Sequence, residues 1–221
     1  MFKKVLFLSV ILASFWVLAG CGKVIDTSSN SLNNIPHVNG YSWDYTCKFI
    51  VGTSEASTFT KKRYFDGTIN LANGLTAQIF KVTDEVASSS IPETILKCIR
   101  ASSTMCYYQD QSGIYDYGNP QSPNSAASLI LLLPLNTGKR WEIGTTYKLT
   151  CEAVSAENIT VPAGTFKTIK VLVGDPTDEY YEWYADGVGL VKISVKIMVL
   201  DPNGRFANEG YYVEELAGKN F

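Results

Sequence analysis

The sequence holds a single histidine, His37, among 221 residues. That scarcity removes Ser-His-Asp and Cys-His catalysis, because each needs an imidazole beside its nucleophile. His37 itself falls in a polar stretch that reads as a linker. Zinc chemistry lacks ligands as well, since no Cys-x-x-Cys pair occurs. Gly-x-Ser-x-Gly, glycine-rich phosphate loops and His-Glu-x-x-His are absent. An excess of one charge is missing too. With 19 basic and 21 acidic residues the net charge is −2, which gives no electrostatic footprint for nucleic acid. The one basic run, Lys61-Lys62-Arg63, reads as the solvated part of a strand. Long helical periodicity is also lacking, although residues 72–87 leave room for a short helix.

What is present is alternation. Tyr41, Trp43, Tyr45, Cys47, Phe49 and Val51 alternate with polar residues, as do Tyr147, Leu149, Cys151 and Ala153, and the odd positions from Val191 to Val199. A period of two predicts strands with one buried and one wet face. Further strand-like runs are Thr58–Phe65, Leu75–Val82, Thr94–Arg100, Met105–Gln109, Ser128–Leu135, Thr165–Val173, Glu179–Tyr184 and Gly210–Leu216. Asp66-Gly67, Asn73-Gly74, Asp186-Gly187 and Asn203-Gly204 read as turn pairs between them. The stretch from Asn119 to Ala127, with Pro120 and Pro123, reads as a loop. Many short strands with frequent turns predict a mostly β, antiparallel domain.

The first residues have a different character. Met1-Phe2-Lys3-Lys4 precedes an apolar run from Val5 to Leu18, followed by Ala19-Gly20-Cys21. This is the layout of an export signal, and the run falls short of the ~20 apolar residues of a spanning helix. A cysteine directly after Leu-Ala-Gly resembles the lipobox of bacterial lipoproteins. The resemblance implies cleavage between Gly20 and Cys21, a diacylglyceryl thioether on Cys21, and acylation of its new amino group with a palmitate-type chain. Two or more chains anchor a protein stably. Gly22 follows instead of aspartate, which in an enterobacterial-type envelope favours the outer membrane. The expected organisation is a signal peptide over 1–20, a lipidated cysteine and flexible tether over 21–40, and one β domain over 41–221. The location expected is the exported side of the cell membrane or outer membrane.

Four cysteines remain: Cys47, Cys98, Cys106 and Cys151. An even number in an exported chain suggests disulfides, with three possible pairings. If Ala101 to Thr104 turns a hairpin, Cys98 faces Cys106, and Cys47–Cys151 follows by default.

The C-terminal half carries distinctive text: Leu133-Pro134-Leu135, Gly138, Trp141, Val161-Pro162-Ala163-Gly164-Thr165-Phe166, and Trp183-Tyr184-Ala185-Asp186-Gly187-Val188-Gly189-Leu190-Val191-Lys192. This order resembles a group of exported bacterial lipoproteins that is similar to LolA/LolB-type periplasmic carriers. The resemblance covers about residues 129–195 and implies a curved antiparallel half-barrel, with little helix, closed by a helical or loop lid over an apolar cavity. Asp186 stands where the group usually has proline. The group offers no known catalytic residues. Pro162, the glycines, Trp141, Phe166 and Trp183 are expected to serve backbone geometry and packing. Tyr180, Tyr181, Trp183 and Tyr184 beside Asp178, Glu179 and Glu182 also suggest a sugar-stacking surface. The carboxylate pairs Asp84-Glu85 and Glu214-Glu215 are expected to alternate across a strand or sit in turns.

These features point to a non-enzymatic, membrane-anchored envelope lipoprotein that needs no cofactor or metal and binds a lipid or acyl chain in its concave sheet. The alternatives are an envelope interaction module that docks a protein partner, and a glycan hydrolase built on two carboxylates.

Overall fold

The computed structural model describes residues 31–85, 104–144, 148–174, 179–200 and 206–221. The lipobox-like stretch ending at Cys21, Cys98 and the Asn203-Gly204 pair lie outside the described residues, as does the strand expected over 94–100. Fourteen strands and no helix occur among those described: β1 (Ser31–Leu32), β2 (Ser42–Val51), β3 (Ser54–Asn70), β4 (Thr76–Glu85), β5 (Thr104–Gln109), β6 (Gly113–Asp116), β7 (Ser128–Leu132), β8 (Leu135–Asn136), β9 (Arg140–Ile143), β10 (Leu149–Val161), β11 (Gly164–Val173), β12 (Tyr181–Ala185), β13 (Gly189–Leu200) and β14 (Phe206–Lys219).

Twelve of these strands form one antiparallel sheet in the order β7-β6-β5-β4-β3-β2-β14-β13-β12-β11-β10-β9. The sheet curls until its two edges meet. There Trp141 Nε1 donates to the Ile130 carbonyl at 3.3 Å, and Gly144 N donates to Ser128 Oγ at 3.0 Å. The result is a nearly closed barrel, and such closure protects strand edges that would otherwise pair with other chains. Residues 119–127 form the expected loop.

The inner face follows the predicted alternation, except that Leu149 is 47% exposed; Tyr147 lies outside the described residues. Trp43, Tyr45, Cys47 and Phe49 of β2 are buried and pack against Phe59, Phe65, Val191, Tyr212 and Leu216. A second cluster joins Trp141, Cys151, Ala153, Ile169 and Val171 to Leu131 and Leu135 on the far wall. Burying each large apolar side chain stabilises the fold by about 1.5–3 kcal/mol. The outer face carries Lys48, Lys62, Lys170, Lys192 and Glu215, so it faces water. Lys192 and Lys48 both reach Glu215, at 2.9 and 3.6 Å.

Several expectations change. The segment with room for a helix is the strand β4 and the turn before it. Asp66-Gly67 is not a hairpin turn. β3 runs through it with a bulge between Phe65 and Thr68, where Gly67 takes φ +96° and donates its N–H to Asn39 Oδ1 at 2.6 Å. An Asp-Gly pair suits a bulge as well as a turn, because both need a positive φ. The hairpin falls instead at Leu71–Leu75, where Gly74 N bonds the Leu71 carbonyl at 3.0 Å, so Asn73-Gly74 turns as expected. Asp186-Gly187 likewise links β12 to β13.

The Cys47–Cys151 bridge is not formed. Cys47, Cys106 and Cys151 are buried free thiols, each in a different core cluster. Alternation put Cys47 and Cys151 on the inner face correctly, but four strands separate β2 from β10 in the sheet. Burial, followed by the Glu214 charge, pushes the Cys47 thiol up to about 12, and burial and then Glu182 do the same for Cys151, at about 12. Such thiols are inert.

Residues 31–40 are not a free tether. β1 pairs with β8, and Leu32 is 1% exposed in the second cluster. The chain from Asn33 to Val38 then crosses one end of the barrel as a strap. The polar composition that suggested disorder reflects its outer surface, while Leu32, Ile35 and Pro36 supply the inward anchors.

Candidate functional site

The barrel interior is layered along the strands. At one end Phe49, Phe59 and Tyr212 pack as a plug, with ring centroids 5.2–6.3 Å apart. One register step along, Lys61 lies opposite Tyr45, and the next step sets Arg63 opposite Trp43. Beyond them lies a cavity of about 420 Å³ that ends under the strap. That volume is within the range of small-molecule sites, roughly 300–1,000 Å³. Phe65, Phe80, Met105, Ile114, Leu131 and Ile193 supply apolar wall, and Ile35, Pro36 and His37 of the strap supply the cover.

Four charged side chains stand between plug and cavity or on the cavity wall. Glu214 of β14 is 2% exposed and pairs with both cations of β3. Lys61 Nζ contacts Glu214 Oε1, and Arg63 reaches Oε2 at 2.5 Å. Lys61 also donates to the Tyr212 hydroxyl at 2.9 Å, and that hydroxyl donates to Glu214. Burial would raise the Glu214 carboxyl, but Arg63, Lys61 and the hydrogen bonds outweigh it and hold it below the usual carboxylate range. Arg63 also stacks over the Tyr45 ring, 4.8 Å from its centroid.

Glu182 enters from the opposite wall. Tyr180 and Tyr184 flank it on the same inward row and donate to Oε1 and Oε2 at 2.6 and 2.5 Å. The charge of Glu182, with burial, raises the Tyr180 hydroxyl well above its ordinary value; for Tyr184 burial leads and Glu182 adds. Both hydroxyls therefore stay protonated and remain donors. Each carboxylate oxygen has a second lone-pair direction left for another partner.

The strap is pinned over the cavity by the β12–β13 turn. Asp186 Oδ1 accepts the N–H groups of Asn33 and Asn34 at 2.8 and 2.9 Å, and Gly187 N donates to the Asn34 carbonyl at 2.9 Å. Gly189, at φ +92°, allows the close approach, since a Cβ there would lie 3.2 Å from Ile35 Cγ2. On the other side His37 Nε2 meets the Tyr107 carbonyl at 3.1 Å, and its ring sits edge-on to Phe65 at 4.9 Å. Burial lowers the His37 pKa and the Tyr107 carbonyl partly opposes that, so the neutral ring donates through Nε2. His37 is thus a packing residue of the cover, not a linker residue.

The sequence motifs divide between the two faces. Asp178 lies outside the described residues, and the aromatic and acidic group over 179–184 does not form one sugar-stacking surface. Tyr180, Glu182 and Tyr184 point inward, whereas Tyr181 and Trp183 point outward, where Lys170 lies 4.0 and 5.1 Å from their rings. Trp183 Nε1 donates to Glu157 at 2.5 Å. Trp141 packs inside, Phe166 is half-buried against the first cluster, and Pro162 lies in the β10–β11 turn, all in structural roles. Glu214 and Glu215 alternate as expected, one inside and one out.

Lys61-Lys62-Arg63 is the main miss. Only Lys62 is solvated, while Lys61 and Arg63 lie on the inner row with Phe59 and Phe65. The signal was available, because Phe59, Lys61, Arg63 and Phe65 share one parity. Only the register with β14, across β2, brings Glu214 to them.

No protein-family model and no curated protein matches the sequence. Two solved structures are similar to it. One is a Bacteroides fragilis protein described as exported, with a YmcC-like fold. It has a TM-score of 0.45 and 14% identity over 85% of this chain and 98% of that one. The other is a Parabacteroides distasonis protein described as a lipoprotein. It has a TM-score of 0.43 and 15% identity over 84% of this chain and 97% of that one. Likenesses this distant carry no functional argument.

Proposed function

We propose that this chain is a membrane-anchored lipoprotein of the bacterial envelope that holds a hydrophobic ligand, a lipid or acyl chain, inside its β barrel without transforming it. The observation that carries the reading is the 420 Å³ cavity with largely apolar walls, covered by Ile35, Pro36 and His37 of the strap. The sequence supplies the anchor through Cys21, twelve positions before the strap begins at Asn33. The LolA-like resemblance of 129–195 agrees with this reading.

Two observations favour it over the alternatives. Sheet edges β7 and β9 face each other, which leaves little strand edge there for a protein partner. Both interior carboxylates are already engaged, Glu214 by two cations and Glu182 by two tyrosine hydroxyls, and they sit beside apolar walls rather than in a polar cleft suited to a glycan.

Mass spectrometry of solvent extracts from purified protein tests the binding. A co-purifying amphiphile is expected. Repeated absence of one, together with failure to take up an apolar fluorescent probe, refutes it. Fatty-acid-analogue labelling tests the anchor: the wild type should label, and a Cys21→Ala variant that still labels would end that part of the proposal.

A further inference from the structure

The cavity is not uniformly apolar, and its charged groups balance. Lys61, Arg63 and Glu182 line it, and Glu214, behind that wall, pairs directly with both cations, so two positive and two negative charges are coupled there. Asp116, on the β6 wall, does not line the cavity, and its carboxylate accepts the Gly118 N–H at 2.7 Å. From the geometry we infer that the ligand is an amphiphile with a net-neutral head able both to donate and to accept hydrogen bonds, such as a monoacylglycerol or a zwitterionic lysolipid. Its head lies between Arg63 and Glu182, and its chain lies along the Phe80–Ile114–Leu131 wall. The inference rests on the reading of the cavity as a ligand site.

The selection is electrostatic. Beside largely apolar walls, a net charge added to a balanced set is left without a counterion, and uncompensated buried charge is strongly unfavourable. A carboxylate head would meet Arg63 but also Glu182. An ammonium head would meet Glu182 but also Arg63 and Lys61. A neutral head with a donor and an acceptor satisfies both walls. Glu182 keeps free lone pairs, and Arg63 has five N–H groups, of which Glu214 and Tyr45 do not take all. The volume suits one chain better than two, since it lies near the lower end of small-molecule sites, roughly 300–1,000 Å³.

The test is competition for a bound apolar fluorophore by three amphiphiles of equal chain length: a monoacylglycerol, a fatty acid and an alkylammonium. Wild-type protein should bind the monoacylglycerol at least about tenfold more tightly than either charged competitor, a difference easily resolved by titration. Glu182→Gln leaves the set one charge positive and should shift the preference toward the fatty acid. Arg63→Gln should shift it toward the amine. Circular dichroism on each variant verifies folding, and the wild-type ranking stands alone if a variant does not fold. A fatty acid or amine that binds wild type as tightly as the neutral lipid overturns the inference but leaves the cavity a lipid site. If none of the three displaces the probe, or the probe does not bind, both readings fall.

Discussion

Replacing Glu214 by glutamine is expected to cost about 3–5 kcal/mol of folding stability, the usual result of removing one partner from a buried ion pair. The side chain is 2% exposed and Lys61 6%, so water cannot take over the lost interaction. The amide keeps the shape and can accept from Arg63 or the Tyr212 hydroxyl, but two cations then share no counterion. A domain of this size shifts by about 2–4 °C per kcal/mol, so the loss should lower the melting temperature by roughly 6–20 °C. Urea unfolding followed by tryptophan fluorescence measures the free energy directly. A triple variant separates unpaired charge from lost contact: Lys61→Met, Arg63→Met and Glu214→Leu together should recover most of the loss, because an apolar replacement of a whole buried ionic group is commonly neutral or stabilising by about 1–4 kcal/mol. A single Glu214→Gln variant within about 1 kcal/mol of wild type would refute this account, since it would mean that Lys61 and Arg63 reach solvent. Acid should act like the substitution. The folded Glu214 pKa lies below its unfolded value, so its contribution is complete above about pH 4.3 and is lost as pH falls through the folded value.

Three further perturbations probe other parts. Asp186→Ala removes the acceptor for the Asn33 and Asn34 amides and should speed hydrogen exchange at those two positions while the β2–β14 ladder stays protected; unchanged protection at 33 and 34 would show that Asp186 does not hold the strap. His37 has a folded pKa below about 6.5, so its contribution is present above that pH and is lost as pH falls from there through the folded value; His37→Gln should flatten stability over that interval, and its single NMR titration should lie below a free imidazole. Gly113→Ala drives a methyl to 2.6 Å from the Leu131 carbonyl and 2.5 Å from Leu129 Cδ1, so it should destabilise by about 1–3 kcal/mol in thermal or urea unfolding.

How much of this was legible beforehand varies with range. The inner rows of β2 and β13, and Cys151 and Ala153 of β10, follow from period two, because a strand with one wet face must alternate. The Asn73-Gly74 and Asp186-Gly187 turns follow from local backbone chemistry. The Asp66-Gly67 bulge does not, since a bulge and a hairpin demand the same positive φ and differ only in whether the partner strand continues. Asp186 reads in the sequence as half of an Asp-Gly turn pair; its bond to the strap joins residues 153 and 152 positions apart and has no local signature.

The sequence by itself determined the class of fold, the face of most residues in the clear strands and the lack of an imidazole-based catalytic set, and its Leu18-Ala19-Gly20-Cys21 stretch resembles a lipobox. Tertiary structure alone decided the rest: the thiols Cys47 and Cys151 stay apart, the polar strap covers a cavity, and four charges meet inside the barrel. The physical reason is that alternation specifies which side a residue faces but not what faces it. Glu214 lies more than 150 positions from Lys61 and Arg63, and only the strand order and register of the closed sheet bring the three together.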